Sequence, residues 1–137
     1  MNLKKISLPL ARIALFVVYF WFGILKIVGQ SPASPLVARL LEKTLPFISF
    51  HNFIICLGMY EMIIGILFII PGLERVAFLV WIPHIIITTG PIILLPGMTW
   101  QAWFVPTLEG QYIIKNLLIL ALAVTVGSQA RPRKTTQ

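Results

Sequence analysis

Five ionisable side chains lie within or at the ends of long apolar runs of this sequence: Lys26, Glu61, His84, Glu109 and Lys115. Tyr112 and Asn116 accompany the last two in "EGQYIIKNL", residues 109–117. A carboxylate and an imidazole held away from water can take and release a proton, and an ammonium can donate to a carbonyl oxygen or neutralise an anion. The chemistry within reach is therefore proton exchange and the binding of a small polar head. Leaving such a group against hydrocarbon costs ~2.5 to 3.5 kcal/mol at mid-bilayer on insertion scales. Each should then face protein, and ionisable groups at that depth mark ligand or proton sites often enough to make all seven residues candidates.

The elements that must position them are apolar helices. The chain is 58% hydrophobic and 11% charged, with a mean hydropathy of +0.94. Apolar stretches at about 7–28, 52–71, 75–95 and 109–127 each approach the roughly 20 residues a bilayer-spanning helix needs. This predicts an all-α membrane protein, a bundle of four transmembrane helices in one domain covering 1–137, with the lipid bilayer as its first partner. "MNLKK" followed by an apolar run resembles a secretory signal, but the run continues to Leu25 and meets Lys26, so it is expected to be a retained first helix.

The net charge of +7 does not indicate nucleic acid, because the basic residues sort by side of the membrane rather than gathering on a soluble face. Lys4, Lys5 and Arg12 precede or open the first span, Arg75 sits in the second connection, and Arg131, Arg133 and Lys134 follow the last span. The first connection carries only Arg39 and Lys43, and the third has no Lys or Arg. The positive-inside rule then puts both termini in the cytoplasm.

The connections have character of their own. In "SPASPLVARLLEKTLPF" Ser34 can cap a helix and Pro35 suits its first position. Leu36, Val37, Leu40, Leu41 and Leu45 share one side against Arg39, Glu42 and Lys43, which predicts a short helix lying in the outer interface. Trp100 and Trp103, with Trp81 in the third span, are candidates for an aromatic lid; a simple interfacial belt is the plainer alternative for the loop pair. Pro83 and Pro91 should bend the third span and free the carbonyls of Leu79 and Ile87. The C-terminal segment 128–137 is polar and basic and is expected to be a disordered cytoplasmic tail.

At about 1.5 Å per residue, Glu61 and His84 fall roughly 15 Å below the outer surface and Lys115 about 9 Å, with Lys26 and Glu109 near the outer ends. All five should converge in the bundle interior, Lys26 and Lys115 offsetting Glu61 and Glu109. Arg12, Tyr19 and Lys26 recur every seven residues on one face; Gly58, Glu61, Gly65 and Gly72 share another. Trp81, His84 and Thr88 align on the third span. His51 is expected at the outer boundary. The two histidines differ too much in depth for one haem, and no metal-ligand spacing or nucleophile motif occurs. The single Cys56 leaves no partner for an internal disulfide or a C-x-x-C site, which excludes thiol-disulfide exchange by this chain alone.

"FGILKIVG" at the end of the first span, "YEMIIGILFIIPG" across the second and "GQYIIKNLLIL" opening the fourth resemble the DoxX-like family of small four-helix bacterial membrane proteins, in its YkgB-type branch. The likeness runs from about residue 10 to 125, with Lys26, Glu61 and Lys115–Asn116 at the matching positions. It implies a bacterial inner-membrane subunit of a redox or oxidative-stress system, at most a quinone-linked oxidoreductase subunit, with soluble or membrane redox proteins as partners. No flavin, haem or iron–sulfur motif accompanies it, so no intrinsic cofactor is expected, and the resemblance implies a quinone as a bound ligand. Lys26 or Lys115 would then hydrogen-bond its carbonyl, Glu61 or His84 would exchange its proton, and the tryptophans would pack on its ring. The alternatives are a non-catalytic scaffold for soluble redox enzymes and a proton-coupled small-molecule transporter centred on Glu61.

Overall fold

The computed structural model describes residues 2–130, and the basic residues of the expected tail, Arg131, Arg133 and Lys134, lie outside them. The described chain folds as α1 (Leu3–Ile27), α2 (Ser34–Thr44), α3 (Phe50–Ile69), α4 (Glu74–Thr89), α5 (Pro91–Leu94), α6 (Pro96–Thr99), the two-stranded hairpin β1 (Trp100–Ala102) and β2 (Val105–Pro106), and α7 (Leu108–Gly127). Four helical segments, with α4 and α5 taken as one, are long and apolar enough to cross a membrane. Their outward surfaces carry large apolar side chains such as Leu10, Trp21, Ile63, Leu79, Ile86, Leu117 and Leu118, while Arg12, Lys26, Glu61, Glu74 and His84 are buried. That distribution inverts the one water favours and suits hydrocarbon surroundings.

The long helices form a ring in the order α1, α3, α4, α7, each packed on the next, with α7 closing onto α1. Facing side chains of all four fill its centre: Ala11, Leu15 and Tyr19, then Ile64 and Phe68, Ala77 and Trp81, and Ala123 and Val126. The tightest seam joins α1 and α3. A Cβ added to Gly23 would lie 2.5 Å from the Gly58 carbonyl oxygen, and one on Gly58 would lie 2.6 Å from that of Gly23. Only glycine permits this approach, which replaces side-chain packing with backbone contact. Gly65 continues the seam against Phe16 and Phe20, so the two helices run antiparallel. Gly72 does not belong to this face, contrary to the helical count. α3 has ended before it, and Gly72 turns the chain toward α4 with φ of 92°.

The third span differs in detail from its expected form. α4 runs unbroken through Pro83, and the interruption comes at Gly90, before Pro91. The carbonyl of Ile87 is not left free, because Gly90 N–H donates to both Ile86 and Ile87 at 3.2 Å. In the first connection α2 is present, but Ser34 is its first residue rather than its cap; Ala33 occupies the cap position with no side-chain bond to offer. Leu41 is buried, while Arg39, Glu42 and Lys43 are exposed as the amphipathic pattern requires. The third connection holds an unforeseen hairpin, with Trp100 opposite Pro106 and Ala102 opposite Val105. Thr107 then caps α7, accepting from Gly110 N–H at 3.1 Å, and Gly110 lies against the Thr99 carbonyl.

Candidate functional site

Three of the five buried-charge candidates meet. Lys26 Nζ donates to Glu61 Oε2 at 2.8 Å, and His84 Nε2 lies 2.9 Å from Glu61 Oε1. Lys26, Glu61 and His84 are 7%, 4% and 4% exposed. The local cause is the glycine seam. Gly23 and Gly58 draw α1 and α3 together one turn from Lys26 and Glu61, and the lysine stem spans the remaining offset between antiparallel helices. α4, the other neighbour of α3, brings His84 from the far side.

Charge balance favours one protonation pattern for this triad. One ammonium and one carboxylate cancel, so a neutral imidazole leaves no net charge in the interior, whereas an imidazolium would leave one uncompensated. With Glu61 ionised beside Lys26, that pattern puts the ring proton on Nε2, where it would donate to Oε1. Nδ1 is then a bare lone pair, and it is buried with no hydrogen-bond partner among the described residues. The ring is framed edge-on by Tyr19 and Tyr60, with centroids 5.3 and 5.8 Å away. Tyr19 accepts from Trp81 Nε1 at 2.7 Å, and the Tyr60 hydroxyl donates to the Val80 carbonyl.

A second buried ion pair was missed from the sequence. Arg12 NH2 binds Glu74 Oε1, Arg12 NH1 donates to the Phe68 carbonyl at 3.1 Å, and Glu74 Oε1 also accepts from Gly72 N–H at 3.0 Å. Arg12 therefore does not belong with the exposed charges used to orient the chain. The signal was available in the seven-residue recurrence of Arg12, Tyr19 and Lys26, all three of which are buried. The two charged clusters sit about 21 Å apart along α1. Tyr19 and Trp81 lie between them, together with a packed layer of Leu15, Ile64 and Phe68.

The remaining candidates do not join the triad. Glu109 and Lys115 are exposed, and neither forms an ion pair among the described residues. Lys115 Nζ lies 5.6 Å from the centroid of the Tyr112 ring, itself 62% exposed, and Asn116 is half-buried. The reason is helical phase: α7 buries Gly110, Ile113, Ala123 and Val126. Lys115 follows Ile113 by two residues, about 200° round the helix, and so points out of the ring. α7 also stands opposite α3, the helix that carries Glu61.

The aromatic lid is not assembled. Trp81 is a core side chain at 1% exposure, Trp100 donates to the Ile92 carbonyl at 3.2 Å, and Trp103 is 88% exposed against Phe104. His51 is exposed at the start of α3, and Cys56 is exposed as well. Two open grooves of about 380 and 360 Å³ lie on the outer faces, the first beside Arg12 and the second along Phe16, Phe20 and Ile24; neither is lined by the triad. The triad is thus a packed cluster rather than the wall of either groove. No family model, curated protein or solved structure matches the chain.

Proposed function

We propose that this chain is a multi-pass subunit of a redox or oxidative-stress system in the bacterial inner membrane, and that Lys26, Glu61 and His84 form its site for a quinone or similar amphipathic ligand. The single observation that carries the reading is the bridging of Lys26 and His84 by Glu61, with the second imidazole nitrogen buried and unpartnered among the described residues. A buried polar atom without a partner is rare and needs a reason, and a bound polar head is one. In the charge-balanced triad the imidazole is the group that would take a proton from the bound head. Glu61, hydrogen-bonded to the opposite nitrogen, would stabilise the imidazolium so formed. Apolar side chains on the outer surface offer hydrocarbon contact for a ligand's tail. The likeness to DoxX-like proteins falls on two of the three residues, Lys26 and Glu61. The basic bias supports cytoplasmic termini, which would leave α2 at the outer interface.

The test is photolabelling of the full chain in proteoliposomes with a photoactivatable quinone analogue, followed by peptide mapping. Adducts should concentrate on 54–65 and 78–88 and be lost in Glu61→Gln. Labelling spread evenly over the outer surface, or unaltered by that substitution, removes the reading.

A further inference from the structure

We infer that the head group received by the triad is a hydrogen-bond donor, a phenolic or hydroquinone hydroxyl, rather than a carbonyl. The inference rests on the proposed ligand site and specifies the chemistry of what enters it. Its basis is the direction of each hydrogen bond. Glu61 uses one oxygen for Lys26 and the other for His84 Nε2, so the carboxylate is engaged on both sides. His84 is 4% exposed, and its Nδ1 has no hydrogen-bond partner among the described residues. In the charge-neutral triad Nδ1 has no proton and can only accept. A hydroxyl satisfies it, whereas a carbonyl oxygen would set one lone pair against another.

Charge bookkeeping points the same way. If the proton passes across, the O–H bond breaks and the Nδ1–H bond forms. The electron pair stays on the ligand oxygen, which becomes a phenolate beside an imidazolium. No net charge is added to the interior, and Glu61 already holds the far side of the ring. A carbonyl ligand has no proton to give, so an imidazolium facing it would need one from elsewhere and would bring uncompensated charge into an apolar interior. Tyr19 and Tyr60 stand edge-on to the imidazole, and with Nε2 bound to Glu61, Nδ1 is the one ring nitrogen left for a small aromatic head.

The experiment uses the full chain in lipid nanodiscs, labelled with ¹⁵N-histidine. The sequence has two histidines, so His84→Asn assigns the His84 signals by difference. The probes are decyl-hydroquinone, kept reduced, and the matching decyl-quinone. Without ligand, the His84 signals should report an unprotonated Nδ1 and a protonated Nε2. Decyl-hydroquinone should bind about 10-fold more tightly than the quinone and move the Nδ1 resonance, a preference His84→Asn abolishes. Equal or tighter quinone binding, or a protonated Nδ1 in the unliganded protein, overturns the donor inference and leaves the ligand site standing. Binding of neither probe overturns the ligand site and the inference together. An Nδ1 resonance identical with and without bound hydroquinone overturns the inference too, since the lone pair is then satisfied by trapped water alone.

Discussion

Lys26 and Lys115 carry the same signal in the sequence, a lone ammonium in an apolar helix, yet they should respond to the same substitution very differently. Lys26 lies 2.8 Å from Glu61, and the two side chains are 7% and 6% exposed. Lys26→Met keeps the stem's volume and removes the charge, leaving a buried carboxylate with only a neutral imidazole beside it. Breaking a buried pair in this way costs about 3–5 kcal/mol, or roughly two to four decades in the unfolding constant. Lys115 has no ion pair among the described residues and rests near one exposed ring, a contact worth at most about 1 kcal/mol. The assay is reversible unfolding in mixed micelles with increasing SDS, followed by circular dichroism. Lys26→Met should unfold at much lower SDS than Lys115→Met, which should track the parent protein. Adding Glu61→Gln to Lys26→Met removes the orphan charge and should recover most of the loss, a strongly non-additive pair. Equal effects of the two lysine substitutions, or additive behaviour of the Lys26 and Glu61 changes, would refute the buried-triad reasoning.

Three further outcomes follow from particular contacts. Gly23→Ala puts a methyl 2.5 Å from the Gly58 carbonyl oxygen and 2.8 Å from Met62 Cγ, so α1 and α3 must separate; the same assay should show a loss of about 1–3 kcal/mol, against almost none for Gly97→Ala, which meets nothing within 4 Å. Arg12→Lys cannot reach both the Phe68 carbonyl and Glu74 as the guanidinium fork does, and should cost about 1–3 kcal/mol. The exposed Arg39–Glu42 pair, 3.3 Å apart, should tolerate Arg39→Lys within about 0.5 kcal/mol.

Composition and run length were sufficient for the four long apolar helices, and the amphipathic pattern of 36–45 was sufficient for α2. Along α1 the seven-residue recurrence of Arg12, Tyr19 and Lys26 marked the inward face correctly, because three polar side chains on one stripe have only one place to hide from hydrocarbon. Gly58, Glu61 and Gly65 did the same for α3. α7 offered no such stripe. It is apolar nearly all round, so periodicity cannot say which side turns inward, and the depth of two charges near its start points to the centre without fixing their direction. Only tertiary packing sets that phase: Gly110 must face the Thr99 carbonyl, and Ile113 follows it inward, which turns Lys115 out. A lysine so near the helix start can reach the polar boundary along its own stem, so exposure there carries little penalty. Which cation belongs to which carboxylate was decided in the same way. Sequence supplies the charges and their approximate depth, but the order of helices round the ring chooses the partners, pairing Lys26 with Glu61 and Arg12 with Glu74.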